Sequence, residues 1–327
     1  MPRKVKSGGI RSAFVRVGRL FRLACRLLPA LVLLPILISL PLVWSWPANH
    51  GAHFTLHVFD VGQGDSSLVQ CGRVQALVDG GPDRQALSGL GRSMPFTDRR
   101  IEYVFLSHPH DDHVFGLFAA LERYEVGRLV VSPYAVDLPL GQELLALAVE
   151  RGVPMTVAEA GDSFTLGDCG ELTVLWPDGR VEEEIRGSRD RTNDLSLVLE
   201  LRDRAGQDQT GVLALLMGDA GFLVEDQLVA RGVIGPTSVL KVGHHGSRYS
   251  TGTEFIRAAA PKSVVISVGE NDYGHPSQIT LQRLGSFADR TFRTDRDGTV
   301  VFDLENDRKI SRSTVDWLDD FWMRLRL

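Results

Sequence analysis

Residues 101–113 place the tightest constraint on how this chain can fold. Ile101-Glu102-Tyr103-Val104-Phe105-Leu106 is an apolar run that reads as a buried strand. The turn Ser107-His108-Pro109-His110-Asp111-Asp112-His113 follows at once, and residues 113–123 read as a helix capped by Asp112. The turn packs three imidazoles and a carboxylate into the pattern HxHxDH. Buried ionisable groups are costly unless paired or bound to metal, so this turn calls for a divalent ion, and two are expected. Neutral imidazole suits zinc, and carboxylates add hard oxygen ligands. The bland alternative is a solvated loop that happens to be rich in histidine. The strand-to-helix setting disfavours it.

Four further segments carry chemistry at predicted strand ends. Asp79 follows the run Val74–Val78 and precedes Gly80 and Gly81. Asp219 follows Leu213-Ala214-Leu215-Leu216-Met217-Gly218 and, taken alone, would pass for a helix cap. Lys241-Val242-Gly243-His244-His245-Gly246-Ser247 sets two adjacent histidines in a glycine-flanked turn. Asn271-Asp272-Tyr273-Gly274-His275-Pro276 is a turn after Val264–Val268. Loops at one edge of an α/β sheet are where ligands bind. Other strand-like runs are Phe54–Asp60, Ser66–Gln70, Leu129–Val131, Met155–Val157, Leu172–Leu175, Leu195–Leu201, Val239–Val242 and Thr299–Asp303. Helical patterns near residues 140–150, 222–230, 250–259 and 277–286 separate several of them. The interleaving predicts a layered α/β domain over residues 54–312, with a charged loop at 182–194.

The first 26 residues carry eight Lys and Arg and no acid, out of 36 Lys and Arg in the 327-residue chain. The other 28 basic groups face 41 acidic ones, so the body of the chain is no general electrostatic trap for nucleic acid. Residues 27–46, LLPALVLLPILISLPLVWSW, contain no charge and are long enough to cross a bilayer as a helix. Trp44 and Trp46 sit at its end, where aromatic rings favour the interface. The basic flank predicts a cytoplasmic N-terminus, residues 1–26, and an extracytoplasmic remainder anchored in the cell membrane by a single pass. A cleaved signal peptide is the rival reading. Residues 47–53 read as a linker. Residues 313–327 form an amphipathic helix with Leu318, Phe321, Trp322 and Leu325 on one face. Cys71 and Cys169 show no metal-ligand spacing. They could pair in an exported domain, but two separate buried thiols are the commoner outcome.

Together HxHxDH, Asp79, Asp219 and His244 resemble the metallo-β-lactamase-fold hydrolases. The finer likeness is to the hydrolase domain of ComEC-type DNA-uptake proteins of competent bacteria. It runs from Val58-Phe59-Asp60-Val61-Gly62-Gln63-Gly64-Asp65 through 106–113, Asn193-Asp194-Leu195-Ser196, Met217-Gly218-Asp219, 240–247 and Tyr273-Gly274-His275-Pro276 to Arg293-Thr294-Asp295, about residues 54–304. The resemblance implies a four-layer αββα sandwich with a one- or two-metal site at one edge; two divalent ions are expected, zinc preferred on the imidazole count and manganese the alternative on the carboxylates. It implies that His108 and His110 bind one metal, Asp112 and His113 the second, that Asp219 bridges them and that His244 closes the set. Asp79 would orient a ligand imidazole from the second shell of residues. Where most of the superfamily has a histidine between HxHxDH and the bridging Asp, this chain has Asn193, which implies one metal less fully coordinated or more weakly bound. His245 or His275 could protonate a leaving alkoxide, with Asp112 among the catalytic groups, and Lys241, Ser247 and Arg248 lie close enough in sequence to hold phosphate oxygens. Lys241 is equally explicable as ordinary loop chemistry.

The expected activity is metal-dependent hydrolysis of a phosphodiester, DNA above all, outside the cytoplasm. The alternatives are a metallohydrolase of another ester, thioester or β-lactam bond, and a non-catalytic partner of a separate DNA-uptake channel. A carboxylate at Asp219, where many β-lactamases have cysteine, weighs against β-lactams. The intact HxHxDH weighs against loss of catalysis.

Overall fold

Strand β3 (Val74–Val78) shows in five residues why the first sheet buries both of its faces. Ala76 and Val78 point into one apolar cluster and Leu77 into another. Strand β4 (Arg100–Leu106) does the same, with Phe105 in the first cluster and Ile101, Val104 and Leu106 in the second. A strand covered on both faces reads as a continuous apolar run, not as an alternating one. A computed structural model describes residues 34, 54–95, 97–179, 191–204, 211–288, 290–304 and 308–311. The chain divides into two units, residues 1–51 and 52–327, and the second carries the fold that follows.

The second unit holds two sheets. The first has eight strands in the order β15-β14-β1-β2-β3-β4-β5-β6. Its further members are β1 (Phe54–Val58), β2 (Ser67–Cys71), β5 (Glu125–Val131), β6 (Met155–Val157), β14 (Val300–Asp303) and β15 (Arg308–Ser311). The second has seven in the order β13-β12-β11-β10-β9-β8-β7. These are β7 (Ser163–Leu166), β8 (Gly170–Trp176), β9 (Val198–Asp203), β10 (Val212–Leu216), β11 (Val239–Lys241), β12 (Ser263–Ile266) and β13 (Arg290–Arg293). Strands β3 to β6 are parallel to one another, as are β10 to β13, and the hairpin-rich remainder is antiparallel.

Parallel neighbours need crossovers, and helices supply most of them. Helices α1 (Gln85–Ser93), α2 (Asp111–Arg123) and α3 (Pro139–Glu150) cover the outer face of the first sheet with Leu90, Leu117 and Leu144. Helices α4 (Phe222–Ala230), α5 (Thr253–Ala259) and α6 (Gln278–Leu284) cover the second with Leu228, Phe255 and Leu284. Between the sheets Phe54, Phe105, Phe164 and Leu199 share one core. Helix, sheet, sheet and helix thus stack as four layers, each apolar face buried against the next.

Several sequence expectations shift. Helix α2 begins at Asp111 with His110 at its N-cap, so Asp112 lies inside the first turn and does not cap it. Its charge there faces the helix dipole favourably. Helix α1 and strands β7, β13 and β15 were not expected. β7 and β13 are short edge strands and β13 reads Arg-Thr-Phe-Arg, a polar pattern typical of protected edges. Cys71 and Cys169 are not separate thiols. They form a disulfide across a separation of 98 residues, with Cα atoms 6.0 Å apart, tying β2 of one sheet to the β7–β8 turn of the other. Among the described residues no helix is long and apolar enough to cross a membrane. All but Leu34 of the expected anchor at 27–46, its basic flank at 1–26, the linker at 47–53, the helix at 313–327 and most of the loop at 182–194 lie outside the described residues.

Candidate metal centre

Asp79, His108, Asp219 and the histidine pair 244–245 all follow carboxyl ends of parallel strands, which gathers them at one edge of the sandwich. Asp79 adopts a left-handed backbone, φ 59°. The next residue, Gly80, touches α2 directly: a Cβ there would stand 2.4 Å from the Leu117 nitrogen. The facing Gly116 is as tight, so only glycine lets α2 come this close. This contact sets His113 over Asp79.

Asp79 then organises the turn. Its Oδ1 accepts from the Ser107 backbone N–H at 2.8 Å, and its Oδ2 accepts from Ser107 Oγ at 2.7 Å. The same Oδ2 lies 2.9 Å from His113 Nδ1. A carboxylate accepts, so His113 holds a proton on Nδ1 toward it and turns Nε2 inward. That Nε2 is buried and lies 3.4 Å from the buried Asp219 Oδ1. Buried polar atoms are rarely left unpaired, and an imidazole nitrogen facing a carboxylate oxygen calls for a cation between them, a proton or a metal ion.

His108 and His110 stand on the other side of Asp219. His108 Nε2 is 3.0 Å from His110 Nδ1 and 3.7 Å from Asp219 Oδ2, while its Nδ1 meets Ser107 Oγ and Ser196 Oγ at 3.1 and 3.2 Å. Ser196 Oγ also accepts from the Asp219 N–H at 3.2 Å, so one hydroxyl braces both.

His245 completes the inner group. Its Nδ1 is 2.9 Å from the Ser267 carbonyl and therefore donates to it. Its Nε2 then faces Asp112 Oδ2 at 3.1 Å and Asp219 Oδ1 at 3.7 Å. Both His244 and His245 sit at positive φ, 49° and 52°, a strained conformation that aims the two rings to different places. His244 Nε2 lies 3.8 Å from Asp219 Oδ2 and 3.4 Å from Asn193 Nδ2. The His275 ring centroid is 5.3 Å from that of His244.

Among the described residues donor atoms converge within 4.8 Å in four overlapping sets; two bring Asp65 to Asp219–His245 and to Asp79–His113, and the other two, His108–His110–Asp219 and Asp112–His113–His245, flank Asp219. Each of the latter two sets holds two imidazoles and one carboxylate, a nitrogen–oxygen donor set that suits zinc and neighbouring metals. Electrostatics agree. Burial alone would raise the Asp219 and Asp112 carboxyls, yet the imidazoles of His113 and His245 hold Asp219 well below the usual range and Asp112 at about 2. Burial alone would lower His245, but Asp219, Asp65 and Asp112 push it up to about 10. His113 is likewise driven well up by Asp219, Asp79 and Asp112 against its burial. The cluster demands positive charge, which divalent cations would supply.

The sequence offers His245 or His275 as proton donor, and Lys241 as a phosphate ligand or as ordinary loop chemistry; the structure takes His245 out of the first role and favours the structural reading of Lys241. Both His245 nitrogens are committed, one to Ser267 and the other to the carboxylate group, so the ring is placed to ligate. The Lys241 ammonium is only 3% exposed and is paired with the buried Asp65, which holds it away from any substrate. Ser247 is also buried, its Oγ accepting from Tyr249 N–H, whereas Arg248 stays exposed. Asp65, Ser196 and Ser267 were not singled out as site residues. Asp65 lies 3.4 Å from His245 Nδ1, and its N–H donates to the Asp112 carbonyl at 3.0 Å. Only its place beside two glycines in the stretch 58–65 hinted at a role.

Residues 59–187 match the family model described as the metallo-beta-lactamase superfamily. The chain is 32% identical over 272 residues to ComE operon protein 3 of Bacillus subtilis, covering 77% of this chain and 33% of that protein. It is 30% identical over 262 residues to competence protein ComA of Neisseria gonorrhoeae, covering 79% and 33% respectively. The chain thus spans about a third of the length of these curated relatives. Among solved structures, the metallo-beta-lactamase fold protein YhfI of Bacillus subtilis superposes with a TM-score of 0.50 at 14% identity, covering 76% of this chain and 99% of that one, a likeness of fold alone.

Proposed function

We propose that this chain, whose folded unit is a metallo-β-lactamase domain of the kind found in competence proteins, hydrolyses phosphodiesters with two bound metal ions and acts on DNA outside the cytoplasm. One observation carries the reading: the Asp219 carboxylate lies between His108 on one side and His113 and His245 on the other. His108, His110 and Asp219 would hold one ion, and Asp112, His113, His245 and Asp219 the other, with zinc preferred and manganese the alternative. Bound there, such a pair supplies an activated water and a clamp for phosphoryl oxygens.

The protein's own groups do the rest. Asp79 and the Ser267 carbonyl fix the tautomers of His113 and His245. Burial of His108, His113 and Asp219 excludes bulk water behind the reacting centre. Asn271 accepts from the His275 N–H at 3.0 Å and donates to the His275 carbonyl at 2.9 Å, fixing that ring beside His244. His275 is half-buried at the rim, and burial together with the His244 and His245 rings lowers its imidazole to about 4, so at neutral pH it is an acceptor that would take a proton from the attacking water and pass it to the leaving oxygen. Arg248, exposed on the same rim, is the phosphate contact.

The disulfide supports an oxidising compartment. With residues 27–46 as a single-pass anchor, the domain stands outside the membrane, where a separate DNA-uptake channel would be its partner. The test uses the full chain in detergent, stripped of metal and reloaded with zinc or manganese. Substrates are single-stranded DNA, duplex DNA and bis-p-nitrophenyl phosphate, beside an Asp219→Ala control. Metal-dependent cleavage absent from the control supports the proposal. Stoichiometric metal binding with no cleavage of any of the three overturns it.

A further inference from the structure

Two large aromatic rings stand in solvent on the loops that carry the histidines of the metal centre. Tyr273 is 77% exposed and Tyr249 64%. Both belong to loops that deliver site residues, Tyr249 just after His244 and His245, and Tyr273 two residues before His275. Isolated exposed apolar groups need no explanation, but these two are fixed to one frame. Ser277 N–H donates to the Gly246 carbonyl at 2.8 Å, and Thr280 Oγ1 to the Ser247 carbonyl at 2.7 Å. Arg283 donates to the carbonyls of Arg248, Ser250 and Thr251 at 2.7–2.9 Å. The two loops are thereby bound into a single rim.

The rings also line up with the chemistry. Tyr273 stacks beside His275, centroids 5.9 Å apart and planes 30° from parallel. His275 is 5.3 Å from His244, whose Nε2 is 3.8 Å from Asp219. Arg248 holds its guanidinium carbon 5.8 Å from the Tyr249 ring centroid. Charge near Tyr273 has the opposite sign: Glu270 and Asp272 are exposed beside it. Phosphates are therefore unwelcome at that ring, while an uncharged π-face is not.

We infer that Tyr273 and Tyr249 are stacking platforms for unpaired nucleobases, so that the site takes single-stranded DNA, with Arg248 meeting the backbone between them. The inference rests on the phosphodiesterase reading for its ligand and adds to it how the strand is gripped. In a body this acidic, stacking supplies affinity that general electrostatics cannot. A duplex hides its base faces and gains nothing from these rings.

The experiment is fluorescence anisotropy with the full chain in EDTA, so that no strand is cut. The probes are an oligodeoxythymidine and an abasic sugar–phosphate strand of equal length. The native chain should bind the base-bearing strand at least about tenfold more tightly. Tyr273→Ala and Tyr249→Ala should each weaken that binding by about 5- to 100-fold. Tyr273→Phe and Tyr249→Phe should keep it, because the ring and not the hydroxyl stacks. Equal affinity of the native chain for both strands would overturn the inference whatever the variants do. Alanine variants that melt like the native chain and bind oligodeoxythymidine like it would do the same. Base-dependent binding by a chain that cleaves no phosphodiester would end the phosphodiesterase reading and leave the platforms standing. Cleavage without base dependence would do the reverse.

Discussion

Asp65 and Lys241 form a buried ion pair that ties the turn after β1 to the end of β11, both side chains all but inaccessible to water. The other Asp65 oxygen faces His245 Nδ1 at 3.4 Å. A cation from one sheet and an imidazole of the metal centre thus share one carboxylate from the other sheet, and the pair fixes the sheets' register where the site is built.

Removing one partner strands the other in a medium that cannot solvate it. Lys241→Met should cost about 3–5 kcal/mol, read as a drop in the urea midpoint. Adding Asp65→Asn should recover a large part. A double variant no more stable than the single would show that the pair does not act as a unit.

Asp79→Asn keeps the shape but turns an amide donor toward Ser107 or His113. The His113 tautomer is then no longer fixed, and metal affinity should fall about 10- to 100-fold. Competition with a chromogenic chelator measures this. Unchanged affinity would mean that Asp79 serves only the Ser107 turn.

Glu225 on α4 accepts the N–H groups of Thr251 and Gly252, and burial pushes its carboxyl up to about 7 against the pull of those bonds and of Arg283. In the unfolded chain it ionises near 4.5. Below that pH both states hold the proton and the contribution is whole. From about 4.5 to 7 the unfolded chain ionises first, so stability falls as pH rises, by something on the order of 3 kcal/mol. The difference in unfolding free energy between the native chain and Glu225→Gln should carry this slope. A difference flat in pH would rule it out.

Cutting the disulfide should act mainly through the unfolded state. Closing a loop of this length is worth about 2–5 kcal/mol, so Cys71→Ser or Cys169→Ser should lower the melting temperature while the metal-binding stoichiometry stays the same. Melting unaffected by reductant would show that the pair contributes nothing to stability.

Most of the candidate site was legible because it is local. HxHxDH sits in one turn between a buried strand and a helix, and each residue's chemistry there follows from its type and from the cost of burying it. Asp79 and Asp219 were legible as carboxylates closing apolar runs. The burial of both sheet faces was legible too, since strands such as β4 are apolar on both.

What the sequence by itself determined is the kind of site and the sheet edge that carries it. Adjacent His244 and His245 look alike in sequence, and only left-handed backbone angles at both decide that the second reaches Asp112 and the first does not. For Lys241 the sequence left a phosphate ligand and ordinary loop chemistry even, and Asp65, 176 residues away in the chain, decides for the latter by pairing with its charge. Cys71 and Cys169 became a pair only when two sheets brought their Cα atoms within 6.0 Å. Spacing along a chain records which groups a turn can gather. Which distant group neutralises which is set by the packing of whole layers, because burial makes every charge find a partner and only tertiary structure brings that partner near.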